Sequence, residues 1–101
     1  MIVYNVSMKV DPVIEHDWVQ WQQQEHIPAM MAAGQFSDYK FYKLLEEEND
    51  DSATYVLQFF APSMESYQYY ISNFAPQLRE QAFAKWGNLF ISFRSVMKVV
   101  E

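Results

Sequence analysis

Polar and apolar residues alternate without a slip through IVYNVSMKV, residues 2–10. Ile2, Tyr4, Val6, Met8 and Val10 take one side, and Val3, Asn5, Ser7 and Lys9 take the other. That period of two is the signature of a half-buried strand. Asp11 then reads as a helix N-cap and Pro12 as the first helical residue, where proline's missing donor is not needed. Ile14, Trp18 and Trp21 follow at helical spacing, and Gly34 marks the far end. Two segments rich in aromatic and β-branched residues, 36–46 and 53–61, read as strands. The polar, acidic stretch between them reads as a hairpin loop.

Pro62 and Ser63 open a second helical region, with Ser63 as its N-cap. Tyr67, Ile71, Phe74 and Leu78 form the apolar stripe, and Gly87 closes the region. Pro76 removes one backbone donor inside it, which predicts two helical pieces meeting near Ala75. Residues 89–100 make the last strand. The order is β-α-β-β-α-β, a split βαβ unit. It predicts one α+β domain over residues 1–101: a ferredoxin-like four-stranded antiparallel sheet with its helices on one face.

One sheet face must pack on those helices. The more apolar set is Tyr4, Val6, Met8, Tyr55, Leu57, Phe59, Leu89, Ile91, Phe93 and Met97. On the other face Val3, Val56, Phe60, Phe90, Val96 and Val100 mix with Asn5, Ser7, Lys9, Gln58, Ser92, Arg94 and Lys98. A sheet face bathed in water is normally more polar than this, so a cover is expected. The simplest cover is a second copy related by a two-fold axis, giving a homodimeric α/β barrel. Arg94 and Lys98 would then need carboxylates across the interface or at its rim.

Composition sharpens this picture. In 101 residues, 50% are hydrophobic and 18% aromatic, more apolar surface than a disordered chain carries. The surplus suits an oligomer interface or a ligand pocket. A net charge of −6, with seven scattered Lys and Arg, argues against nucleic acid and anionic membranes as partners. The absence of cysteine removes disulfides, thiolate metal sites and a cysteine nucleophile. The opening residues follow a strand pattern, not a signal peptide, and no run approaches the roughly 20 apolar residues of a membrane span. A cytoplasmic protein is the expectation. With only two glycines, both used as helix stops, there is no phosphate-cradling loop.

Chemistry concentrates at Glu25, His26, Ile27 and Pro28. At about 100° per residue, Ile14, Trp18, Trp21, Glu25, Ala29 and Ala32 share a stripe, while Ile27, Met30 and Met31 lie opposite. The apolar face is therefore expected to change sides at Pro28, which removes the bond to the Gln24 carbonyl. Glu25 and His26 could form an acid–base pair at a pocket mouth. They could equally be a solvated carboxylate and a histidine capping the helix break. The second is favoured, because one histidine without a partner at a recognised spacing is weak support for catalysis. The acidic stretch EEENDD, 46–51, lacks the spacing of an EF-hand loop and reads as a solvated hairpin tip. No metal site is expected.

The segments MIVYNVSMKVDP, W..W...EHIP..M..G.FSDYK, Y.LQFFAPSM..Y..Y, APQLRE and GNLFISFRSVM together resemble a bacterial domain-of-unknown-function family, number 4286. That family is similar to the ferredoxin-like dimeric α/β-barrel superfamily, and the likeness spans nearly the whole chain. The superfamily includes cofactor-free monooxygenases, haem-degrading monooxygenases, isomerases and stress-response proteins, with pockets typically between sheet and helices. Asn5 could be read as the first-strand asparagine of the haem-degrading branch. The second helical region has no histidine, however, so the haem ligand is missing and no cofactor is implied.

Three functions are left open. The first is a homodimer binding a small apolar or aromatic ligand, with Trp21, Tyr39 and Tyr55 lining the pocket and Glu25 and His26 at its edge. The second is a cofactor-independent monooxygenase or isomerase with His26 as base, which requires a cavity that His26 or Glu25 reaches. The third is a structural protein–protein adaptor, whose mark would be a filled core.

Overall fold

The structure, a computed structural model, describes residues 1–46 and 51–101. Its elements run β1 (Ile2–Val10), α1 (Glu15–Trp21), a π-helical segment (Gln22–His26), α2 (Ile27–Ala32), β2 (Asp38–Lys43), β3 (Ala53–Ala61), α3 (Met64–Asn73), α4 (Ala75–Trp86) and β4 (Phe90–Lys98). The four strands form one sheet in the order β2-β3-β1-β4, with every neighbouring pair antiparallel. This is the ferredoxin-like α+β arrangement. The acidic loop expected at 46–51 has its centre, 47–50, outside the described residues. Among the described residues no helix is long and apolar enough to cross a membrane.

β1 follows its pattern: Tyr4, Val6, Met8 and Val10 are buried on the helix side, and Asn5, Ser7 and Lys9 take the open side. β3 behaves the same way, with Tyr55, Leu57 and Phe59 buried inward. Each fully buried Leu, Val or Phe side chain contributes ~1.5–3 kcal/mol. Phe36 joins α3 to the sheet, its ring centroid 5.1 Å from that of Phe59 and 4.8 Å from that of Tyr70. Trp18, fully buried, packs 5.3 Å from Tyr55. β2 is shorter than the expected 36–46, since pairing with β3 runs only from Asp38 to Lys43.

The helix starts differ in how the caps are used. Asp11 Oδ1 accepts from the Val13 N–H at 2.9 Å, but α1 begins only at Glu15. Residues 12–14 form a turn with short-range bonds, Ile14 N–H to Asp11 O and Glu15 N–H to Pro12 O, so Pro12 precedes the helix instead of opening it. Ser63 does cap α3, its Oγ accepting from the Ser66 N–H at 3.1 Å. At Phe74 the backbone leaves helical geometry (φ −123°), and Pro76 falls in the first turn of α4, where its missing donor costs nothing. Gly87 then stops α4 at φ 57°, ψ −132°, a conformation closed to residues with a Cβ.

Two further expectations are overturned. The first concerns Pro28. The helix does not present a second face beyond it: Trp18, Trp21, Gln22, Ile27 and Met30 are all buried on the same side. The Ile27 N–H bonds to the Gln22 carbonyl five residues back, so one wide turn absorbs an extra residue. That delays the helical phase by about 100° and brings Ile27 and Met30 back to the core.

The second concerns β4. Its register with β1 pairs Val10 with Phe90, Met8 with Ser92, Val6 with Arg94 and Tyr4 with Val96. Directly opposite residues share a face, so Phe90, Ser92, Arg94, Val96 and Lys98 lie on the helix side. Ile91, Phe93 and Met97, expected inside, stand on the open face at 51%, 68% and 41% exposure. Leu89, also expected inside, lies in the bend before the strand and accepts a bond from the Asp11 N–H at 2.9 Å, which pins the register.

Candidate functional site

The inner parity of β4 does not close the core, because polar Ser92 and Arg94 stand where apolar side chains would seal it. Between sheet and helices lies a cavity of about 350 Å³. Its floor is Tyr4, Val6 and Met8 of β1, Leu57 and Phe59 of β3, and Phe90, Ser92 and Arg94 of β4. The helices supply Gln22, His26 and Met30, one to each successive turn across the π-helical segment, together with Tyr70, Leu78, Arg79, Ala82 and Phe83. A volume of this size and mostly apolar walls with a few polar groups are the usual features of a small-molecule site.

His26 lies on this wall. Its ring stacks on Trp21 at 4.6 Å and 22°, and Trp21 in turn meets Trp86 edge-on at 5.9 Å. Burial first, and the Arg94 guanidinium second, push the imidazole down to about 4. It is therefore neutral near pH 7 and offers one donor and one acceptor. Tyr70 is held as a neutral phenol: burial, then Tyr4, push it up, against the opposing pull of Arg79 and Arg94. Arg79 Nη2 donates to the Tyr4 hydroxyl at 3.0 Å.

Gln22 is the least expected member. It is 1% exposed, its Nε2 meets only the Met8 sulfur at 3.9 Å, and its Oε1 is buried with no partner among the described residues. Thioether sulfur is a weak acceptor, so turning the amide over would only exchange a poor contact for a worse one.

The residues singled out from sequence separate. His26 lines the cavity; Glu25 is exposed and does not. Trp21 is buried behind His26, one ring removed from the cavity wall. Tyr39 is 41% exposed on β2 and packs its ring 6.2 Å from Phe59, outside the cavity. Tyr55 is buried and donates to Glu15 Oε2 at 2.6 Å, beside a separate shallow depression formed with Pro12, His16 and Val19. That bond, and then Lys43 at 3.1 Å, hold the Glu15 carboxyl below its ordinary value. Asn5 faces the open side of the sheet, where it accepts from Gln58 Nε2 at 3.3 Å. Among the described residues no three acidic or histidine side chains gather as a metal would require.

Gln22, Arg79, Ser92 and Arg94 escaped the pattern. Gln22 stands four residues after Trp18 and so shares its stripe, which is a usable signal. Ser92 and Arg94 alternate with Ile91 and Phe93, and only the pairing with β1 tells which set faces in.

A family model described as Domain of unknown function (DUF4286) matches residues 1–100. No curated protein matches the sequence. Among solved structures, the chain is similar to an ethyl tert-butyl ether d (EthD) family protein from Bacillus halodurans C-125. The two share 13% identity over 99% of this chain and 100% of that one, with a TM-score of 0.74. It is also similar to a dimeric ferredoxin-like protein from an uncultured marine organism, at 10% identity, 99% and 95% coverage and a TM-score of 0.73. A third likeness is to SnoaB, a cofactor-independent oxygenase from Streptomyces nogalater, at 13% identity, 99% and 93% coverage and a TM-score of 0.63. At such identities these likenesses speak for the fold alone.

Proposed function

The chain belongs to the domain-of-unknown-function family DUF4286, and from that premise we propose that it is a homodimer that binds a small apolar or aromatic molecule between sheet and helices. The observation that carries the ligand is the cavity itself, an apolar chamber of about 350 Å³ edged by a few polar groups. A filled core would have favoured an adaptor. The homodimer is supported by Ile91, Phe93 and Met97, exposed on the open face, and by similarity to dimeric ferredoxin-like proteins. A cytoplasmic location belongs to the same proposal and rests on the sequence alone.

The test of binding is titration with 2-naphthol, followed by tryptophan emission, since Trp21 and Trp86 stand behind His26. Saturable quenching supports the proposal, and its loss in Ala82→Trp, which fills the chamber, assigns it to the cavity. A strictly linear response would refute it. Light scattering at micromolar concentration reads the assembly; a clean monomer would remove the dimer.

A second reading has one observation in its favour. His26 reaches the cavity, as this reading requires of its base, whereas Glu25 stays outside. A cofactor-independent oxygenase or isomerase would use His26 to take a proton from a phenol-like or enolisable substrate, with tyrosines of the wall orienting it. Retained 2-naphthol binding with lost turnover in His26→Phe is the expected outcome; unchanged turnover would eliminate this reading.

A further inference from the structure

We infer that the cavity selects a flat aromatic acid, with its carboxylate at Arg79 and Arg94 on the rim and a hydroxyl or N–H donor directed inward to Gln22. The inference rests on the proposed ligand-binding role of the cavity and adds the chemistry of the ligand's two ends.

Charge distribution supports the outer end. The chain carries seven Lys and Arg against a net charge of −6, yet two arginines converge on this one chamber. Both are exposed cavity residues, which puts them at the mouth. Both guanidiniums are within electrostatic reach of the same two phenols, Tyr67 and Tyr70. Among the described residues neither makes an ion pair with a carboxylate. Arg79 is steadied by the Tyr4 hydroxyl at 3.0 Å and keeps its other N–H groups for an anion. Planar guanidinium forks match carboxylate geometry, and a partly enclosed site strengthens the match.

Depth supports the inner end. Gln22 is 1% exposed where the arginines are exposed, so a molecule touching both must extend inward from the rim. Its Oε1 is a buried acceptor with no donor among the described residues. A site that leaves an acceptor unpaired discriminates in favour of a molecule bringing that donor. The walls between the two ends are Tyr4, Phe59, Leu57, Met30 and Tyr70, which suit an aromatic body.

The experiment is calorimetry at neutral pH with four probes: 6-hydroxy-2-naphthoate, 6-hydroxy-2-naphthamide, 2-naphthoate and 2-naphthol. The hydroxy acid should bind best. Exchanging its carboxylate for the amide should cost roughly 10- to 100-fold, the range for hydrogen bonds to charged groups. Removing its hydroxyl should cost roughly 3- to 10-fold. Arg94→Gln should close much of the gap between acid and amide, a change in their ratio that a general loss of cavity shape would not produce. Gln22→Leu should abolish the advantage of the hydroxyl and leave the acid–amide gap intact. Equal binding of acid and amide would overturn the inference while the cavity's role as a ligand site stands. Failure of all four probes to bind would overturn both.

Discussion

β1 and β4 lie side by side, paired along nine residues, yet they use their two faces in opposite ways. β1 buries Tyr4, Val6, Met8 and Val10 against the helices and turns Asn5, Ser7 and Lys9 outward, the ordinary economy of a half-covered sheet. β4 turns Ser92 and Arg94 inward and Ile91, Phe93 and Met97 outward. An inverted strand would be unfavourable on both sides if the molecule ended at its own surface. It is consistent if the inner side meets a polar ligand group and the outer side meets another apolar surface. Under the proposed function, β1 is a strand of the core and β4 a strand of two interfaces.

The strongest way to break that contrast is to attack the outer side. Phe93→Asp should convert the proposed dimer to monomer, seen as a halved mass in light scattering. Two phenylalanines leaving water in the assembly represent roughly 3–6 kcal/mol, enough to move the dissociation constant by two or more orders of magnitude. Arg94→Gln, one position away on the other side, should leave the mass unchanged. If both substitutions dissociate the protein, or neither does, the two sides of β4 are not distinct.

Most of the fold was legible in the sequence because β1 alternates cleanly and β3 is marked by its aromatic and β-branched run; both strands begin and end where those patterns do. β4 defeated the same reasoning. It is apolar on both parities, and the more apolar one was assigned to the core, when that preference is valid only for a chain with a single buried side. Pro28 was correctly read as a disturbance, but the compensation was not. Whether a proline produces a break, as at Phe74, or a wide turn, as over Gln22–His26, depends on which residues the core then receives. Here the wide turn keeps Ile27 and Met30 inside and sets Gln22 and His26 on the cavity wall, while Glu25 points away. The site was therefore only partly visible: His26 stood out by its rarity, whereas Gln22 and Arg94 depend on phase and register.

Inside, the next largest effect is a pH dependence. In the unfolded chain His26 takes its proton near pH 6.5; in the folded protein burial and Arg94 delay this to about 4. Between those values the unfolded state binds more protons, so stability rises with pH and is lost as pH falls from 6.5 toward 4. The loss attributable to His26 is at most about 3 kcal/mol. Urea midpoints measured from pH 7.5 to 4 should decline more steeply in the wild type than in His26→Gln. Parallel curves would show that His26 does not bear this penalty.

A smaller change, of opposite sign, is expected from Gln22→Leu. Removing an amide whose oxygen is buried without a partner among the described residues, and filling its place with an apolar group, should raise stability by about 1 kcal/mol. On the proposed reading the amide serves the ligand and not the fold, so the same variant should also lose the hydroxyl preference. A destabilised Gln22→Leu would instead mean that the Met8 contact and the shape of the amide hold the wide turn together.

The smallest effect is the most local. Arg94 is the second cause, after burial, of the low proton affinity of His26, so Arg94→Gln should raise the imidazole's titration midpoint without restoring it to 6.5. Histidine ring resonances followed by NMR read this directly, with His16 as a second imidazole in the same sample. The substitution leaves Trp21 stacked on His26 and the outer residues Ile91 and Phe93 untouched, so neither burial nor assembly changes. An upward shift in His26 alone shows that the inward-facing charge of β4 acts within the cavity, as the strand's inversion requires. An unmoved midpoint would leave Arg94 a solvated side chain at the rim, and β4 would then be inverted only on its outer side.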